Sequence, residues 1–230
     1  MEQAMVLSYT QLCLLASAQG FDGVVGLPDY KPLGGAEHLL HAVNSLVGSG
    51  LAEEKDGHYA CTRVSAEIGR RIGEAQSYIA VHSNKRDLPD FSCYSGENEL
   101  MICTPSLTRP QWVSVRYLTA AELCSLLEDE AYYPLAEETA EPEDEVLERY
   151  EADRLVDMDP NLPLGTDGDI LFSAEKISRG GDSLGYIRVI NYYFYRYISE
   201  AHDGHTKRTR FTPATLETAL KGLVSGYAHS

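Results

Sequence analysis

The chain has 230 residues, 43% of them hydrophobic and 23% charged, and a formal net charge of −16. This length buries roughly two thirds or more of the unfolded surface, so no metal or disulfide is needed to fold it, while the acidic balance opposes binding to a polyanion. Five scattered cysteines (Cys13, Cys61, Cys93, Cys103, Cys124), none in Cys-x-x-Cys spacing, exclude a disulfide framework and a zinc knuckle and fit reduced thiols in a cytoplasm.

The first apolar stretch, Val6 to Ala18, has no basic residue before it and is broken by Ser8, Tyr9, Thr10 and Gln11. It reads as neither a signal peptide nor a membrane span, and a cytoplasmic protein is expected. Leu7-Ser8-Tyr9-Thr10-Gln11-Leu12 opens a helix over 8–19: Ser8 caps, Gln11 completes a capping box, and Leu7 with Leu12 staples the entry. Residues 20–35 are dense in Gly and Pro and read as loop. A second helix over 36–48 groups Leu39, Leu40, Val43, Leu46 and Val47 on one side. Leu51 to Glu54 and Tyr59 to Thr62 flank Asp56-Gly57, a hairpin turn pair. A helix from Ser65 to Ala80 carries Ile68, Ile72, Ala75 and Ile79 on one face. These elements have the order of a winged helix, assigned to residues 1–85.

A first sheet-plus-helix half is expected over 86–131, with strands Glu99 to Thr104 and Gln111 to Tyr117 and a helix opened by Leu118-Thr119-Ala120-Ala121-Glu122-Leu123. A second follows over 169–230: a strand from Asp169 to Ser178, a turn at Gly180-Gly181, a long strand from Tyr186 to Ser199, a loop, and a helix opened by Phe211-Thr212-Pro213-Ala214-Thr215-Leu216. The repeated staple and cap make the halves similar, and short connections make their strands antiparallel. The expected class is therefore α+β, a winged-helix-like region followed by two antiparallel sheet-plus-helix halves.

Between the halves lies an acidic connector, 132–168. From Glu128 to Asp159 there are fourteen acidic residues against Arg149 and Arg154. It reads as a solvated linker or a polar helix from Glu143 to Val156 supported by pairs such as Glu145 with Arg149, or as a dock for a basic partner.

Sites of known chemistry are not evident. The helix at 36–48 offers Glu37, His38, His41 and Asn44 without Lys or Arg, which disfavours reading it into a DNA groove. His38 with His41, and His202 with His205, have metal-compatible spacing but lack a third ligand. There is no Gly-x-Ser-x-Gly, phosphate loop or His-Glu-x-x-His; Gly165 to Asp169 lacks the spacing of a calcium loop. No catalytic, metal or cofactor residue is assigned. The candidate surface is aromatic. In the run Tyr186 to Ile198, period-two alternation places Arg188, Tyr192, Phe194 and Arg196 opposite Ile187, Val189, Tyr193, Tyr195 and Tyr197. The same alternation sets Trp112, Ser114 and Arg116 opposite Val113, Val115 and Tyr117. Tyr, Trp and Arg are favoured at protein interfaces, so Arg188, Tyr192, Phe194, Arg196, Trp112 and Arg116 are the candidate partner-binding residues; ordinary sheet decoration is the other reading.

In order and spacing, these elements resemble the EspG-like family of type VII (ESX) secretion chaperones. The resemblance rests on the helix at Thr10 to Ala18, the helix ending in the hairpin Leu51 to Thr62, the Ile-rich helix, and the strand Glu99-Leu100-Met101-Ile102-Cys103. Its partner Gln111-Trp112-Val113-Ser114-Val115-Arg116, the acidic middle and the half from Asp169 to Val224 complete the pattern. It implies a cytosolic, non-enzymatic, chaperone-like adaptor that binds a helical secretion substrate, without nucleic acid, cofactor or membrane insertion. A winged-helix transcriptional regulator with an α/β sensing half shares the order and is the alternative.

Overall fold

The computed structural model describes residues 4–28, 34–96, 99–130, 132, 168–192 and 195–225. The acidic connector and its expected helix from Glu143 to Val156, the Gly165 to Asp167 part of the loop compared with a calcium site, and Tyr193 and Phe194 lie outside them. The protein is α+β and divides into two compact units, 1–80 with 89–117 and 178–181, and 81–88 with 118–177 and 182–230.

The first unit begins with a strand, β1 (Met5–Ser8), where only helix was expected. It pairs antiparallel with β7 (Trp112–Leu118), Leu7 opposite Val113. Helix α1 (Tyr9–Ala18) follows without a gap because Ser8 ends the strand and caps the helix. Ser8 Oγ accepts from Gln11 N (3.2 Å), and Gln11 Oε1 accepts from Ser8 N (2.7 Å). Helix α2 (Ala36–Gly48) has the expected bounds but not the expected face. Ala42 and Leu46 are buried, whereas Leu39 and Leu40 are 41% and 54% exposed. The hairpin of β2 (Ala52–Lys55) and β3 (His58–Cys61) turns through Asp56 (φ 54°) and Gly57 (φ 77°), the positive-φ pair a two-residue turn requires.

Helix α3 (Arg63–Glu74) is shorter than expected. Ile68 and Ile72 are fully buried, but Ile79 belongs to a strand, β4 (Ser77–Ser83). The apolar spacing of helix and strand coincides across Ala75, where the backbone turns extended at ψ 121°. Strands β5 (Phe91–Ser95) and β6 (Leu100–Pro105) complete a sheet of order β1-β7-β6-β5-β4. Its core joins Leu7, Leu12, Leu15, Ile68, Ile72, Met101, Val113 and Val115. Tyr94 OH donates to Val25 O (2.5 Å) and Val25 N to Ile72 O (3.0 Å), which fixes part of the Gly-rich loop. Arg71, with its side chain 10% exposed, pairs with Glu67 (2.6 Å) and Glu99 (3.3 Å) and lies 5.3 Å from the Tyr117 ring centroid.

In the second unit, Thr119 opens α4 (Ala120–Asp129) with a capping box to Glu122. The sheet is an antiparallel meander of β8 (Gly168–Ser178), β9 (Ser183–Tyr192), β10 (Tyr195–His202) and β11 (His205–Arg210). Thr212 caps α5 (Pro213–Ser225): its Oγ1 accepts from Thr215 N (3.1 Å), and Thr215 Oγ1 accepts from Thr212 N (2.8 Å). The expected strand from Tyr186 to Ser199 is thus two strands, reversing between Tyr192 and Tyr195, which lie opposite each other. The expected loop after it is the β10–β11 hairpin, turned by Asp203 (φ 49°) and Gly204 (φ 77°).

Candidate partner-binding surface

The register of the second unit's meander separates its two faces. One packs on α5. Ile187, Val189, Ile198, Phe172 and Ala174 share it and are fully buried. Lys176 reaches across it to donate to Val224 O (3.4 Å), and a Cβ on Gly185, directly opposite Lys176, would stand 3.7 Å from Leu223. Burial holds the Lys176 amine below its ordinary pKa. α4 packs against α5, with Leu123, Leu127, Leu216 and Leu220 buried. Beside them, burial pushes the Cys124 thiol up to about 11.

The opposite face is built of cross-strand rows. Ser173, Arg188, Ser199 and Arg208 form one, and Ile170, Ile190, Tyr197 and Arg210 the next. The Arg188 guanidinium lies 4.1 Å from the Tyr186 ring centroid, as expected for i,i+2 neighbours on one face. Ile170 is 43% exposed and Arg188 half-buried, while Tyr197 and Arg208 are buried. This face therefore concentrates three guanidinium groups with aromatic and aliphatic surface, the residue types that make contact area and directional hydrogen bonds to a protein partner.

Arg196 does not belong to it. The strand reversal places Arg196 opposite Asn191, on the α5 side of the sheet. There its Nε donates to Asn191 Oδ1 (3.0 Å) and its guanidinium lies 5.3 Å from the Phe211 ring. The expectation that Arg188 and Arg196 share a face is corrected by this register: unbroken alternation fails once the chain turns back. Tyr192 holds a backbone position in β9 opposite Tyr195, and Phe194 lies outside the described residues. Arg208 and Arg210, not singled out in the sequence, come from a strand read there as loop. The alternation in His205-Thr206-Lys207-Arg208-Thr209-Arg210 was the available signal.

In the first unit, β7 alternates as expected. Val113 and Val115 are fully buried, Trp112 is 37% exposed and Arg116 half-buried. His202 and His205 face each other at the base of the β10–β11 turn, His202 pairing with Asp203 (3.0 Å). Among the described residues, no three His, Cys, Asp or Glu side chains converge on a metal position, and no helix is long and apolar enough to cross a membrane.

No family model matches the chain, and no curated protein matches it. Its fold is similar to that of the type VII secretion system chaperone EspG5 of Mycobacterium tuberculosis, solved in complex with the PE25-PPE41 dimer. The TM-score is 0.56 at 10% identity, covering 99% of this chain and 100% of that one.

Proposed function

We propose that the chain is a cytosolic, non-enzymatic adaptor that binds a helical secretion substrate and keeps it soluble before type VII export. The observation that carries this reading is the fold shared with EspG5 over nearly the full length of both chains. The arginine and aromatic face of the β8–β11 meander supports it as the surface for such a partner. Arg188 supplies donors for carboxylates and helix C-terminal carbonyls, and Tyr186 and Ile170 supply apolar area. Tyr192 and Phe194, and in the first unit Trp112 and Arg116, are proposed as further contact residues. The two Thr-capped sheet-plus-helix halves and the connector at 132–168 are the proposed domain plan.

A winged-helix regulator has no comparable support, because α2 presents Glu37, His38, His41 and Asn44 and no cation for phosphate.

Co-expression with any small helical-hairpin proteins found encoded beside its gene tests the proposal. A stoichiometric complex that keeps the hairpin protein soluble is the expected result. If none co-purifies, and each is equally soluble alone, the adaptor reading is overturned.

A further inference from the structure

Strand β1 is the edge of its sheet. Tyr9 N–H donates to Gln111 O (2.7 Å), and Leu7 and Met5 lie opposite Val113 and Val115. In an antiparallel ladder, backbone groups of alternate residues turn to the same neighbour, so those of Met5, Leu7 and Tyr9 turn toward β7 and those of Val6 and Ser8 turn away. The outward N–H of Ser8 is taken by Gln11 Oε1 (2.7 Å). The N–H and C=O of Val6 have no hydrogen-bond partner among the described residues.

This edge looks into a groove of about 580 Å³, whose far wall is Ser45 of α2, Ser49 just after it, Leu51, and Arg63 and Val64 at the start of α3. Val6 is 55% exposed and Val64 49%. Arg63 is exposed and makes no ion pair among the described residues. Thr62 stands at the N-cap of α3, but its hydroxyl donates to Leu51 O (3.3 Å) and caps no helix amide. The positive end of α3 therefore meets the groove beside a guanidinium that has no ion pair among the described residues.

We propose that this edge receives an extended segment of a partner protein. The segment adds antiparallel to β1 through two hydrogen bonds to Val6, lays an apolar side chain on Val6 and Val64, and sets a carboxylate at Arg63 and the first turn of α3. One strand is the occupant that fits, because α2 and α3 wall the edge and a second copy would bring its own wall against them. Two copies, each at −16, also repel. The surface belongs to the first unit, and its existence does not depend on the secretion reading.

The test titrates the full chain with short synthetic peptides of alternating valine and glutamate, or valine and lysine, followed by NMR shifts of the β1 amides. The glutamate peptide is expected to bind saturably and the lysine peptide about tenfold more weakly, with binding lost when the glutamate peptide is N-methylated along its backbone. Val6→Pro removes an N–H that the β7 ladder does not use, so the fold persists and binding is lost. Arg63→Gln is expected to erase the preference for glutamate over lysine. The proposal is overturned if no peptide saturates, or if N-methylation leaves binding unchanged. It is equally overturned if sedimentation shows a dimer that Val6→Pro dissociates, which would make the second copy the occupant.

Discussion

Gly69 of α3 rests directly on the carbonyl group of Leu15 in α1: a Cβ at this position would overlap Leu15 O and stand 2.5 Å from its carbonyl carbon. The obstacle is backbone, which cannot swing aside as a side chain does. Gly73, one turn later, would bring a Cβ against a side chain instead, the Phe21 ring. Glycine thus sets the depth at which α3 docks, and it seats Ile68 and Ile72 in the core with Leu12 and Leu15.

Gly69→Ala is therefore expected to destabilise by about 3 kcal/mol, the upper end for overpacking, despite alanine's better helix propensity. Chemical denaturation measures it. Gly48→Ala, where an added Cβ meets nothing within 4 Å, is the control and should be neutral or mildly stabilising.

The two threonine caps give a second prediction. Thr119 and Thr212 each accept the amide three residues on, at 3.2 Å and 3.1 Å, and replacing either with alanine should cost about 1 kcal/mol. Thr215→Val at the second cap should also lower stability, because Thr215 Oγ1 accepts Thr212 N and donates to Arg210 O (3.0 Å). Thermal unfolding reads all three, and equal stability of Thr212→Ala and the parent would show the cap to be inert.

The Arg71 cluster predicts how stability follows pH. Burial pushes the Tyr117 hydroxyl up to about 12 against the pull of Arg71, and that hydroxyl is buried without a hydrogen-bond partner among the described residues. An unfolded tyrosine ionises near about 10, so stability falls from there up to the folded value, and Tyr117→Phe should abolish that loss. At neutral pH the same substitution should be neutral or stabilising by up to about 1 kcal/mol, since it removes an unsatisfied buried group. Hydrogen bonds from Arg71 and then Arg70 hold the Glu67 carboxyl below its ordinary value. Its contribution is therefore present above the unfolded carboxylate pKa and lost as pH falls through the folded one, and Arg71→Met should flatten that acid limb. Melting temperature against pH, measured for both variants, checks the two signs.

What was legible in the sequence followed local rules. Ser8, Thr119 and Thr212 announced three helices because a cap is decided within four residues, and Asp56-Gly57 announced its hairpin because positive φ leaves few choices. What was not legible depended on partners distant in sequence. Phe91 to Tyr94 are all buried, so β5 shows no alternation to read. Leu39 and Leu40 match a helical apolar stripe but lie outside the core, because α2 packs through Ala42 and Leu46. At the candidate surface, the aromatic run hid a reversal. Tyr192 and Tyr195 suit a continuous strand by propensity, and only their pairing shows two strands, which moves Arg196 to the other face and brings Arg208 and Arg210 beside Arg188.

That rearrangement yields the last prediction, in which two arginines eight positions apart in the sequence behave differently. Arg188 stacks on Tyr186 on the face away from α5, with no described role in holding α5 to the sheet. Charge reversal there, as Arg188→Glu, is expected to leave the far-ultraviolet circular dichroism and melting temperature near those of the parent. It should weaken capture of a helical partner by about 2 kcal/mol, the scale of an interface hot spot. Arg196 instead bonds Asn191 and covers Phe211 at the entry to α5. Arg196→Glu forfeits a charge-assisted hydrogen bond and a cation–aromatic contact, so it should lower stability by about 2 kcal/mol and change affinity only as far as unfolding does. Calorimetric titration alongside thermal melts separates the two. If Arg196→Glu abolished capture while melting like the parent, and Arg188→Glu captured normally, the partner face would be the one that α5 covers, and the register argument would fail.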